Sequence, residues 1–167
     1  MTNDTLTPLQ QILVKDEGIV LSPMKDTLGN WMYGIGRNIG TDLKMLTISP
    51  RVARVMLEED IETATQRAVS IFGEEYLSTI APARRDAIVS LIFNMGKGNS
   101  RRGFLSFVKA IQAMREHRWD IAAKEVLDSQ WAHTVDPKDR DGVGRDDRIA
   151  FMLRTGEYHE EYRIRDL

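Results

Sequence analysis

The sequence predicts an α+β fold that is mostly α-helical, with a small antiparallel sheet lobe, a long connecting helix and a helical lobe. Three observations support this prediction. Residues 19–38 are rich in strand-forming side chains and are punctuated by glycines. One long periodic segment follows at 49–72, and shorter segments of helical periodicity fill the rest of the chain. The 167 residues, 42% of them apolar, suffice for one compact domain.

The first element is a predicted helix that begins at Pro8 and ends before Gly18. Thr7 can cap this helix, proline suits its first turn, and glycine suits the left-handed position after its end. Glu17 therefore lies at the C-terminal end of the helix. The next stretch predicts an antiparallel sheet of two or three strands with turns at Gly29-Asn30, Gly34 and Gly36.

A second, much longer helix is predicted to begin at Ser49-Pro50, which supply a cap and a first-turn proline, and to end at Gly73. Further helices are predicted at about 83–95, 103–115, 119–130 and 144–154. We expect a single domain over 1–167, in which the small lobe covers about 19–48, the connecting helix about 49–72, and the helical lobe about 74–167 plus residues 1–18. A cleft is expected between the lobes.

Composition excludes several classes of site. The chain has no cysteine, so it has no disulfide, no thiolate metal site and no cysteine nucleophile. The net charge of −2 argues against non-specific nucleic-acid binding. The segment from Met1 to Pro8 lacks the features of a signal peptide, and no stretch is apolar enough to span a bilayer. We therefore expect a soluble, cytoplasmic protein that binds no nucleic acid and does not insert stably into membranes.

Glu17 and Asp26 form a candidate catalytic pair. Glycoside hydrolysis needs one protonated carboxyl group to release the leaving oxygen and one ionised carboxylate to stabilise positive charge on the sugar or to activate water. A glutamate at a helix C-terminus meets the negative end of the helix dipole, which favours its protonated form, whereas an aspartate near backbone donors stays ionised. On the residues alone, salt-bridged surface acids are the more frequent explanation of such a pair.

Several short motifs follow one another along the chain in a definite order. The motifs near the N-terminus are Asp16-Glu17-Gly18, Asp26-Thr27-Leu28-Gly29 and Gly34-Ile35-Gly36. Later matches are Arg84-Arg85-Asp86-Ala87, Phe93-Asn94-Met95-Gly96, Gly103-Phe104, Arg118-Trp119, Ser129-Gln130-Trp131 and Arg154-Thr155-Gly156. The order of these motifs resembles that of the phage-type lysozymes, the muramidase endolysins of glycoside hydrolase family 24. The resemblance covers nearly the whole chain and implies the two-lobed lysozyme-like fold.

The resemblance also implies an activity and a set of site residues. The activity is cleavage of the β-1,4 bond between N-acetylmuramic acid and N-acetylglucosamine in bacterial peptidoglycan, without a cofactor or metal. Glu17 is the implied acid and Asp26 the second catalytic carboxylate. Arg145 is expected near Glu17, where its charge would keep the pKa of the acid from rising too far, and Arg148 is expected near Asp16. Two solvent-exposed arginines are an alternative.

Four further positions match residues of the same family. Phe93 and Asn94 match residues that line the cleft and bind substrate, while Phe93 as plain core is an equal alternative. Trp119 and Trp131 are expected to pack in the core rather than to bind sugar.

Three features depart from the family pattern. Met32 stands where the family usually has the threonine that helps to hold the attacking water, and a thioether cannot donate a hydrogen bond. Arg37 replaces a histidine, and an insertion occupies 136–142. Three functions stay open: an active muramidase with a differently held water, a lytic transglycosylase in which the muramic acid's own hydroxyl attacks, and a non-catalytic wall-binding module.

The expected partner is bacterial peptidoglycan, and the expected state is a monomer. The resemblance implies synthesis in the cytoplasm of a host bacterium and action on the wall after release through a permeabilised membrane. The choice between a free endolysin and a virion component stays open, as do the target bacterium and the chemical type of its wall.

Overall fold

The computed structural model describes residues 8–27, 29–39, 48–135 and 143–162. The chain divides into two compact units, Met1–Ser49 and Pro50–Leu167. The first unit begins with α1 (Pro8–Glu17). This helix ends as predicted, since Gly18 takes a positive φ of 72° and its N–H donates to the Val14 carbonyl at 3.0 Å. The predicted cap, Thr7, lies outside the described residues.

The rest of the first unit is an antiparallel sheet in the order β1 (Val20–Lys25), β2 (Trp31–Gly34) and β3 (Arg37–Asn38). This confirms the predicted small sheet. Gly34 and Gly36 have φ values of 75° and 60° at the turn between β2 and β3. Residues with a side chain rarely adopt positive φ, so the two glycines of the Gly-x-Gly motif allow this hairpin turn to form.

The second unit is helical in its described part. Its α-helices are α2 (Pro50–Phe72), α3 (Glu74–Thr79), α4 (Pro82–Met95), α5 (Val108–Arg115), α6 (Trp119–Leu127), α7 (Gln130–Val135) and α8 (Arg145–Thr155). The predicted long helix is confirmed as α2, which begins at Pro50 and is followed by Gly73 with a φ of 87°. The helices predicted at about 83–95 and 144–154 are confirmed as α4 and α8, which are followed by Gly96 and Gly156.

The short helix α3 was not predicted, and two of the predicted helices were wrong in detail. The helix predicted at 103–115 is divided into a 3₁₀ turn, Phe104–Ser106, and α5. The helix predicted at 119–130 ends at Leu127, and α7 begins at Gln130. Ser129 caps α7, because its hydroxyl accepts the Ala132 N–H at 3.2 Å, and it donates to the Val126 carbonyl at 2.6 Å.

The hydrophobic core of the described chain lies in the second unit. Its largest fully buried side chains are Phe104, Ile88, Leu91, Ile92, Met114, Ile149, Leu153 and Val126. No residue of the first unit whose exposure the structure describes is buried. Among the described residues, no helix has both the length and the apolar character needed to span a bilayer. The predicted cleft between the lobes, and the assignment of residues 1–18 to the helical lobe, stay predictions.

Candidate active site

Glu17 is the last residue of α1, three residues before β1 begins at Val20. The main chain therefore turns at Gly18 and carries the glutamate from the helix end to the first strand. A helix C-terminus carries partial negative charge, which favours a protonated carboxyl group at this position. The side-chain positions of Glu17 and of Asp16 lie outside the described part of the structure.

Asp26 follows β1 directly, and Asn30 holds both oxygens of its half-buried carboxylate. The backbone N–H of Asn30 donates to Asp26 Oδ1 at 2.8 Å, and Asn30 Nδ2 donates to Asp26 Oδ2 at 3.1 Å. The main chains are also joined, because the Asp26 N–H donates to the Asn30 carbonyl at 2.8 Å and the Gly29 N–H to the Asp26 carbonyl at 3.1 Å. Hydrogen bonds donated to a carboxylate favour its ionised form.

Met32 lies on the central strand of the sheet, where Met24 and Asn38 are its register partners. Lys25 is opposite Trp31 in this register, and the next pair, Asp26 and Asn30, is joined by a main-chain hydrogen bond. Since side chains alternate between faces and paired residues share a face, Asp26 and Met32 belong to one face of the sheet. On the alternate positions, Lys25 Nζ lies 5.3 Å from the ring centre of Trp31.

Phe93 and Asn94, which were predicted to line one cleft, are in different surroundings. Phe93 is 46% exposed, which rules out the alternative that it is plain core. It lines a groove of about 630 Å³ between α2 and α4 together with Leu57 and Ile61. Asn94 Oδ1 instead accepts a hydrogen bond from Trp131 Nε1 at 2.7 Å. Consecutive helical residues point about 100° apart, so the two neighbours reach different sides of α4.

The two tryptophans of the second unit pack as predicted. Trp131 is 8% exposed and belongs to the core, and Trp119 packs against that core. The Arg84 guanidinium lies 4.6 Å from the Trp119 ring centre. The same guanidinium donates to the Leu153 carbonyl at 2.8 Å and to the Arg154 carbonyl at 2.9 Å, which satisfies two of the last carbonyls of α8.

A larger groove, of about 710 Å³, was not predicted from the sequence. Its cationic residues are Arg101, Arg102 and Lys109, and its acidic residues are Glu125 and Asp128. The groove lies on the same unit as the Trp131–Asn94 hydrogen bond, and Trp131 forms part of its lining. The adjacent arginines before Gly103 were a visible signal, but nothing in the sequence pattern indicated that α6 and α7 would face them.

Arg145 is the first residue of α8 and is exposed. Arg148, one turn later, donates from Nη1 to Glu161 Oε2 at 2.7 Å, and its guanidinium lies 5.6 Å from the Tyr162 ring centre. Arg148 therefore holds the turn that follows α8 against this helix. The predicted pairs, Arg145 with Glu17 and Arg148 with Asp16, would join the two units and stay predictions. The insertion at 136–142 lies outside the described residues.

Comparison with known proteins decides the family. The sequence profile of the phage lysozyme family matches residues 14–144. The chain belongs to the phage lysozyme family. Two relatives come from Dictyostelium discoideum: probable T4-type lysozyme 1 is 29% identical over 90% of this chain and 96% of its own length. Probable T4-type lysozyme 2 is 28% identical over 93% of this chain and 98% of its own length.

Family membership confirms the predicted resemblance and the lysozyme-like α+β fold. At the family level it indicates a glycoside hydrolase of the lysozyme type with peptidoglycan as its substrate. The matched range contains Glu17, Asp26, Met32, Phe93 and Asn94, and it ends one residue before Arg145. Within the described ranges, no three or more histidine, aspartate or glutamate side chains are grouped to hold a metal ion.

Proposed function

We propose that this protein is a muramidase that cleaves the β-1,4 bond between N-acetylmuramic acid and N-acetylglucosamine. The supporting observation is that one small unit carries two carboxylic residues in unlike settings. Glu17 ends a helix, whereas Asp26 lies in a hairpin turn and accepts two hydrogen bonds from Asn30. Both residues lie inside the range that matches the phage lysozyme family.

The proposed reaction uses the two groups in different roles. Glu17 donates its proton to the glycosidic oxygen as the bond from that oxygen to the sugar carbon breaks. The ionised Asp26 stabilises the positive charge that develops on the sugar. A water molecule then forms the new carbon–oxygen bond, and the proton that it releases returns to the carboxylate of Glu17, which regenerates the acid. The products have a new reducing end and a new free hydroxyl group.

A specific observation favours a second candidate, a lytic transglycosylase. Met32 and its cross-strand partner Met24 place two thioether side chains on the face to which Asp26 belongs. A thioether is a weak acceptor and no donor, so this face holds water less well than one with a threonine hydroxyl. In the alternative, Glu17 protonates the leaving oxygen and then accepts the proton of the muramic acid's own hydroxyl, which attacks instead of water and leaves an anhydro end.

The second unit offers surfaces for the rest of the polymer. We propose that the exposed ring of Phe93 contacts a sugar face, because aromatic rings bury apolar sugar surface. Asn94 has committed its carbonyl oxygen to Trp131, which leaves its Nδ2 group to donate to an acetamido oxygen. The cationic side of the 710 Å³ groove suits the carboxylates of the wall peptides.

We further propose that the enzyme degrades the bacterial wall during host lysis, after release from the cytoplasm. The retention of Glu17 and Asp26 argues against a purely wall-binding module, since binding alone does not need an acid beside a held carboxylate.

The decisive experiment digests purified peptidoglycan and identifies the released muropeptides by mass spectrometry. Reducing ends support the muramidase and anhydro ends the transglycosylase, whereas no release supports the binding module. The same assay on Glu17→Gln should show a loss of about 10²–10⁴-fold in rate, because an isosteric amide cannot deliver the proton. Glu62→Gln, an exposed carboxylate on α2, is the matched control and should keep the parental rate. Activity of Glu17→Gln within about threefold of the parent would exclude Glu17 as the acid.

A further inference from the structure

In the turn after β1, Asn30 donates two hydrogen bonds to the carboxylate of Asp26, and the proposed reaction gives Asn30 no role. We propose that Asn30 is a positioning residue for Asp26, which fixes the orientation of the carboxylate and keeps it ionised. This inference rests on the proposed function, because it assigns Asn30 a role through Asp26.

Two separate donors of Asn30 reach the two oxygens of one carboxylate. The main-chain N–H donates to Oδ1 at 2.8 Å, and the side-chain amide donates to Oδ2 at 3.1 Å. Two contacts at different oxygens restrain rotation of the carboxylate about its terminal bond, which a single contact would allow. The turn itself is fixed independently by the Asp26–Asn30 and Gly29–Asp26 main-chain hydrogen bonds. The side-chain contact is therefore additional to what the turn needs.

The same contacts influence the charge of the group. Both donors stabilise the ionised carboxylate, and neither can stabilise a proton on the oxygen it contacts. Removal of either donor should therefore raise the pKa of Asp26. A carboxylate held in this way suits the stabilisation of positive charge on a sugar ring, because it needs no rearrangement when that charge develops.

Substitutions at position 30 can test the role of the side-chain amide, because it is the group that contacts Asp26 Oδ2. Alanine has no side-chain donor, but its main-chain N–H can still bind Oδ1, so only the contact to Oδ2 is lost. Aspartate has the same size as asparagine but places a second negative charge beside the first, which favours protonation of one of the two groups. The two substitutions thus separate the loss of orientation from a change in local charge.

The experiment compares the parent with Asn30→Ala, Asn30→Asp and Thr27→Ala, a matched control on an exposed residue of the same turn. We expect Asn30→Ala to lower kcat about tenfold, as befits a lost hydrogen bond to a charged group, with KM within about twofold. The acidic limb of the pH–activity profile should move to higher pH in Asn30→Ala and further in Asn30→Asp. Thr27→Ala should leave kcat and the limb unchanged.

A second measurement does not depend on activity. In the Glu17→Gln background, NMR titration of the Asp26 carboxyl carbon should show a higher titration midpoint after Asn30→Ala. An unmoved midpoint together with an unmoved acidic limb would overturn the positioning role, even if Asn30→Ala unfolded at a lower temperature. Asp26→Asn distinguishes this failure from that of the proposed function. If Asp26→Asn keeps full activity, the assignment of Asp26 is wrong, whereas an inactive Asp26→Asn with an unaffected Asn30→Ala rejects Asn30 alone.

Discussion

The two units of this protein differ in the interactions that stabilise them. The second unit buries a large apolar core, centred on residues such as Phe104 and Leu91, that are 0% exposed. The first unit has no buried residue among those whose exposure is described, and five of the six residues of β1 are exposed. Its order comes from main-chain hydrogen bonds and from glycines at positive φ, such as Gly34. The proposed catalytic residues, Glu17 and Asp26, thus belong to the unit in which no residue of described exposure is buried.

The largest expected effect tests the packed half of this comparison. Phe104→Ala removes a fully buried ring that contacts Phe72 and Phe107, and should lower the free energy of unfolding by about 3–5 kcal/mol. Leu21→Ala, on an 81% exposed strand residue, should change it by less than about 0.5 kcal/mol. Urea unfolding followed by circular dichroism measures both. Similar losses for the two variants would mean that the first unit is stabilised by packing after all.

A smaller effect is expected at Met32 in the sheet. Met32→Thr supplies a hydroxyl group on the face shared with Asp26, and one well-made hydrogen bond contributes about 0.5–1.5 kcal/mol, or roughly two- to tenfold in rate. A muramidase should become faster, a transglycosylase should release more reducing ends, and a binding module should change in neither respect. The measurement is rate and product ends together. A slower enzyme with unaltered products would contradict the proposed effect of Met32 on water.

The last effect is confined to alkaline pH and to the second unit. Burial raises the pKa of Tyr76 to about 12, and its hydroxyl donates to the Met114 carbonyl. Between about pH 10 and 12 the unfolded chain loses this proton while the folded protein keeps it, so stability falls as pH rises through that range. Tyr76→Phe should flatten this part of the stability profile, whatever the cost of the lost hydrogen bond at neutral pH. An equally steep decline in the variant would show that other groups cause it.

The sequence predicted what depends on local signals. A cap, a first-turn proline and a terminal glycine defined α2 from Ser49-Pro50 to Gly73, and helical periodicity located α4 and α8. Local signals also misled, because the apolar spacing continues across Ser129 although its side chain caps a new helix there. The short helix α3 has only six residues, too few for periodicity to reveal.

The candidate site shows the same division. The positions of Glu17 at a helix end and of Asp26 after a strand follow from neighbouring residues, so they were predictable. The hydrogen bond between Trp131 and Asn94 joins residues far apart in sequence, and the groove beside it joins loops to helices. Such contacts depend on how helices pack, which periodicity does not specify. The proposed role of Asn30 was not predicted, because asparagine is common in turns whatever its side chain contacts.

The three tryptophans are distributed so that their fluorescence can monitor each unit separately. Trp31 is the one tryptophan of the first unit, and its ring lies near the ammonium group of Lys25. Trp119 and Trp131 belong to the second unit, one against a guanidinium and the other bonded to the amide of Asn94. Replacing the latter two by phenylalanine leaves an emission that originates beside the turn that contains Asp26. Replacing Trp31 alone leaves one that originates in the helical core, so the two halves can be followed independently through binding and unfolding.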